Sequence, residues 1–168
     1  MKYSGMLSLL PKEIKLFLGS FIIVLSLGYF TGLSFVNFTG ARTPSGIEEN
    51  YLGNEADPDA SVMKFKKGER EILTIVHTHV LSISFIFFLV GGLLLMARLP
   101  KKLKMFLIIE PFLSIILTFG GIYLMWAGVN WMKYIVVLSG MLMTLIFMTS
   151  VLVIFYQLFF MSSERNNN

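Results

Sequence analysis

Four unbroken apolar blocks dominate the chain: Leu16 to Val36, Ile72 to Ala97, Met105 to Ala127 and Tyr134 to Met161. Each runs for at least 21 residues, and about 20 helical residues cross a hydrocarbon core. In lipid every backbone N–H and C=O must be satisfied within the structure, which leaves helices or closed barrels. Barrel strands alternate apolar and polar residues, and these blocks do not. The sequence therefore predicts an all-α membrane protein, a four-transmembrane-helix up-down bundle over residues 16–161. Its mean hydropathy of +0.75 and 55% hydrophobic content agree with that class.

Charge sets the expected orientation. Lys2, Lys12, Lys15, Arg98, Lys101, Lys102, Lys104 and Arg165 fall on one side with Glu13 and Glu164, a balance of +6. Arg42, Lys64, Lys66, Lys67, Arg70 and Lys133 fall on the other with seven carboxylates, a balance of −1. The positive-inside rule then places both termini and the 98–104 connection in the cytoplasm of a bacterial inner membrane. The pI of 9.4 reflects topology and anionic lipid, not nucleic acid. Cysteine is absent, which excludes covalent c-type haem, cysteine-held iron–sulfur clusters and disulfides. The first block is longer than a signal-peptide core and is expected to remain as an anchor.

Residues 1–15 read as a short basic, interfacial N-terminus, with Met6, Leu7, Leu9 and Leu10 lying along the inner surface. The one long outer loop, residues 37–70, carries Gly40, Pro44, Gly46, Gly53, Pro58 and Gly68, which predict turns. At 34 residues it exceeds a simple connection. It is expected to cover the outer mouth of the bundle or to dock a periplasmic partner. The links 98–104 and 128–133 are short and force antiparallel neighbours. Trp126 and Trp131 bracket the second as interfacial residues. Residues 162–168 read as a disordered tail.

The candidate chemistry is sparse. The only two histidines stand in the run Val76-His77-Thr78-His79, where the outer loop meets the second block. Imidazole ligates metals or haem and exchanges protons near neutral pH. In a regular helix the two rings point about 200° apart. His77 then shares a face with Arg70, Thr74, Leu81 and Phe88, and His79 one with Ile72, Ile75, Ile83 and Ile86. An extended His-x-His would instead put both on one side and permit a shared metal. A b-type haem would need its second axial ligand from elsewhere. The ordinary alternative is a pair of interfacial polar residues.

Glu110 is the second candidate, a carboxylate about 9 Å beyond Lys104 along the third block and costly there unless paired, hydrated or protonated. Pro111 removes a backbone donor and tends to kink the helix. Ser114, Thr118 and Gly121 continue the Glu110 face, which is expected to point into the bundle as a proton-transfer route. The ordinary alternative is a carboxylate snorkelling to Lys102 or Lys104. Gly28, Gly32, Gly91 and Gly121 are read as close-approach points for helix packing.

In the outer loop the run Gly46-Ile47-Glu48-Glu49-Asn50-Tyr51-Leu52-Gly53-Asn54 is followed by Met63-Lys64-Phe65, Glu71 and the histidine pair. Over residues 40–125 this pattern resembles small, uncharacterised four-helix bacterial membrane proteins associated with respiratory electron-transfer components. The resemblance implies a membrane subunit of such a complex, surrounded by other subunits and lipid. With the histidines, Glu110 and the loop, it leads to one expectation. The chain is non-catalytic on its own and holds or borders a haem b or quinone near the outer leaflet through His77, His79 or both. A structural or assembly subunit without cofactor is the alternative, and a membrane metal enzyme the remote one.

Overall fold

The structure is a computed structural model describing residues 4–55, 57, 58, 60 and 62–161. The tail expected over 162–168 lies outside the described residues, as do residues 1–3. Among the described residues there are helices and no strands. Four helical segments are long and apolar enough to cross a membrane: α1 (Lys12–Phe38), α3 (Glu69–Met96), the third span Lys101–Trp126, and α6 (Met132–Phe159). The third span is composite. It consists of α4 (Lys101–Ile115), one π-helical turn (Ile116–Gly120) and α5 (Gly121–Trp126).

Each helix starts ahead of its apolar block because polar residues supply the first turn. Pro11 precedes α1 and Pro100 precedes α4, where a residue with no N–H leaves no extra orphan donor. Glu69 and Glu71 stand in the first turn of α3, where a negative charge complements the helix dipole. The backbone stays α-helical through Pro111 to Ile115. The irregularity falls one turn later, in the π turn. By regular α geometry Thr118 would drift about 80° off the Glu110 face. An i→i+5 turn holds an additional residue, so it brings Thr118 back toward that face.

The bundle is organised around α6, which packs against α1, α3, the third span and the turn Met6–Leu9. Phe87, Phe119, Ile122, Met143, Ile146, Phe147 and Ile154 lie in one buried core. Half of the third span's most apolar window is buried, against 11% for α1. The first helix is thus peripheral and seats on α6. Tyr29 stacks on Phe147 with centroids 3.8 Å apart and bonds Thr144 across 3.3 Å. A Cβ at Gly19 would meet the Phe159 ring at 2.5 Å.

The outer loop holds a short helix as well as turns. In α2 (Pro44–Leu52), Thr43 caps the first turn by accepting from Gly46 N at 3.0 Å. Gly46 is required there, since a Cβ would collide with Gly40 O. Ile47 buries its side chain and α2 lies against α5 and α6. Asn54 pins the descending loop: its N–H donates to Lys64 O, its side chain accepts from Lys64 N at 2.7 Å, and its amide donates to Val62 O. Glu48 pairs with Lys133 of α6, and Trp126 Nε1 donates to Lys67 O at 2.8 Å. The segment is therefore a cap folded onto the loop end of the bundle.

At the opposite end the turn Met6–Leu9 tucks beneath the helices, with Leu7 fully buried. Gly5 N donates to Met96 O at 2.9 Å.

Candidate functional site

Both histidines lie well inside α3, so the helical geometry holds and the extended His-x-His does not form. His77 is exposed on the outward face with Arg70, Thr74, Leu81 and Phe88. It borders an open surface depression with Glu69, Arg70, Leu73 and Thr74. His79 turns toward the third span, where its ring stacks on Phe119 of the π turn with centroids 5.1 Å apart. Its Nδ1 lies 2.8 Å from Ile75 O. A carbonyl only accepts, so Nδ1 carries the hydrogen, which leaves Nε2 as the acceptor whenever the ring is neutral. His79 is about 15 Å below the loop end of α3 and about 25 Å from its other end. Among the described residues no group of three or more His, Cys, Asp or Glu is arranged to hold a metal ion.

Glu110 is buried in the bundle at 9% exposure. Ser114 Oγ donates to its Oε1, while Oε2 is shielded from solvent without a partner. The alternative pairing with Lys104 does not form. Lys104 belongs to α4, not to the connection before it, and is only 1% exposed. Its Nζ donates to Leu95 O at 3.1 Å and to Ser4 Oγ at 3.2 Å. It therefore caps the last turn of α3, where a cation complements the helix dipole. Lys102 is exposed.

Above Glu110, Thr118 Oγ1 and Ser139 Oγ form a buried pair at 2.7 Å, and Ser139 also bonds Ile135 O at 2.7 Å. The third span thus presents Glu110, Ser114 and Thr118 along its seam with α6. On α6 the seam carries Ser139, Ser150 and Gln157, all buried. Gln157 accepts from Arg98 N at 2.6 Å and donates to Arg98 O at 3.1 Å, clasping the link between α3 and α4.

These α6 residues escape a reading that stops at charged side chains and histidine. Their spacing carried the signal: 11 residues from Ser139 to Ser150 and 7 to Gln157 return to nearly the same helix face. In the cap, burial raises the Tyr51 hydroxyl above the usual tyrosine range.

The glycines divide. A Cβ at Gly121 would meet Val136 Cγ2 at 2.8 Å, and one at Gly91 would touch Ile108 at 3.6 Å. Nothing lies within 4 Å at Gly28 or Gly32.

A family model described as a transmembrane helical domain matches residues 41–165. The chain belongs to this Aq_1264_TM family. The shared region begins at the cap and takes in α3, the third span and α6, leaving out the peripheral α1. No curated protein and no solved structure matches the chain. It is a multi-pass integral membrane protein, in lipid contact along its spans.

Proposed function

We propose that the chain is a non-catalytic subunit of a respiratory electron-transfer complex in a bacterial inner membrane, bordering a quinone in the outer leaflet at His79. The observation that carries this reading is the His79 ring itself. It is exposed at the flank of the bundle, braced by Phe119, and held by Ile75 O with Nε2 open. A neutral imidazole so placed accepts a hydrogen bond from a quinol hydroxyl and takes its proton on oxidation. Electrons leave to a redox centre in a neighbouring subunit. Quinone suits the site better than haem b: one hydrogen-bonding nitrogen beside lipid is enough, whereas His77 diverges and cannot supply a second axial ligand.

The test is the purified complex in mild detergent, with quinone quantified in the extract and a reduced-minus-oxidised spectrum recorded. His79→Ala should weaken quinone retention about threefold to tenfold, the worth of one hydrogen bond. His77→Ala should leave it unchanged. Quinone content unaffected by His79→Ala would refute the reading. The open face at Gly28 and Gly32 favours a second role, padding a larger assembly without cofactor. That reading predicts that Gly28→Leu abolishes co-purification while both histidine variants are silent.

A further inference from the structure

One ionisable side chain is enclosed by the bundle with half of its carboxyl unmatched. Glu110 Oε1 accepts from Ser114, and Oε2 is sealed from solvent with no partner. A second orphan lies on the helix packed against it: Ser150 Oγ of α6, in a residue 0% exposed. Register sets the two close in depth. The Thr118–Ser139 pair and the approach of Gly121 to Val136 fix the antiparallel pairing of the third span with α6. Continued toward the terminal end, that pairing sets Glu110 across from about Phe147, one helical turn from Ser150. Side chains lean toward the N-terminus of their own helix. Because the helices are antiparallel, Glu110 leans toward the level of Ser150, and Ser150 leans back toward Glu110.

Among the described residues no cation forms an ion pair with Glu110. Neither α3 between residues 72 and 96 nor α6 between 134 and 159 carries a charged side chain, His77 and His79 being their only other ionisable groups besides tyrosine. On α1 no charge follows Lys15. The nearest cation on its own span is Lys104, engaged by Leu95 O and Ser4 Oγ. An isolated carboxylate loses far more on leaving water than the carboxylic acid does.

We propose that Glu110, Ser114 and Ser150 form a proton-binding site inside the bundle. The carboxyl takes one proton from water and returns it to water, making and breaking only its own O–H bond. Ser114 holds one oxygen, and Ser150 is placed to meet the other after a side-chain rotation. The site stands whether or not His79 borders a quinone.

The test uses the full-length protein in membranes and dicyclohexylcarbodiimide, an apolar reagent that attacks carboxyls in the acid form. Adducts are mapped by mass spectrometry as the converted fraction of each carboxyl's peptide. At about pH 7 Glu110 should carry at least about fivefold more adduct than the exposed Glu13, the yield falling as pH is raised, and Glu110→Gln should abolish it. If that variant misfolds, the wild-type pH series decides. No adduct on Glu110, a yield indifferent to pH, or protection by sodium at constant pH would overturn the proposal, the last by making the site one for sodium.

Discussion

Gly121→Ala measures how tightly the third span and α6 are held together. The added methyl would sit 2.8 Å from Val136 Cγ2, whereas ordinary contact begins at 3.4 Å. The helices must separate by about 0.6 Å, or Val136 must rotate. Rotation is resisted because a β-branched residue in a helix keeps one strongly preferred rotamer. Overpacking of this kind costs about 1–3 kcal/mol, offset by up to about 1 kcal/mol from the better helix propensity of alanine. The expected net loss is about 1–2 kcal/mol. Gly32→Ala, with nothing within 4 Å, carries only the propensity gain and should be neutral or slightly stabilising. Both can be read from reversible unfolding in mixed micelles titrated with a denaturing detergent. Val136→Ala removes the obstructing methyls, so the double variant should recover about 1 kcal/mol in a double-mutant cycle. If Gly121→Ala is as stable as Gly32→Ala and the cycle shows no coupling, the close approach does not exist and the register built on it fails.

Two further outcomes are expected. Gln157→Leu leaves the backbone N–H and C=O of Arg98 without their shared partner and should destabilise by about 1–3 kcal/mol in the same assay. Gln157→Glu, which keeps the acceptor and loses the donor, should fall between. Tyr51 is raised by burial in the cap, so the folded chain holds its proton more tightly than the unfolded one. Its contribution to stability is complete below about pH 10 and is lost as pH rises from there through the folded value. Alkaline unfolding should begin at higher pH in Tyr51→Phe, and the ultraviolet absorbance of phenolate should gain its last component only on unfolding.

The spans were legible because a membrane demands long apolar runs and nothing else in the chain competes with them. What sat within the spans was less so. Lys104 reads as one more basic flank of a loop, and only the fold reveals it under Leu95 and Ser4. Gly28 and Gly32 carry the familiar small-xxx-small spacing yet face open space, while Gly19 and Gly121, with no such spacing between them, make the tight contacts. Spacing identifies a smooth stripe on a helix but not whether a neighbour uses it. The cap helix was hidden by composition: Gly46 and Gly53 read as turn residues, and only the contact of Ile47 with the core selects a helix between them. The divergence of His77 and His79 was legible, since it follows from helix geometry once α3 is known to start before them. That His79 meets Phe119 depends on the π turn, which no local propensity announces.

Polar groups along the seam between the third span and α6 fall into two kinds, and energetics separates them. The Thr118–Ser139 pair and the Gln157 clasp are satisfied within the chain. Such bonds in membrane bundles are worth only about 0.6 kcal/mol on average, so they act chiefly by fixing register where apolar side chains would slide. Glu110 and Ser150 do not fit that account. A half-matched carboxyl and an unmatched hydroxyl weaken the packing they occupy, and leucine and alanine would fill those positions at lower cost. Packing therefore explains the satisfied residues and fails for the orphaned ones. Exchange of a proton at that depth gives Glu110 a reason to be there that helix association does not.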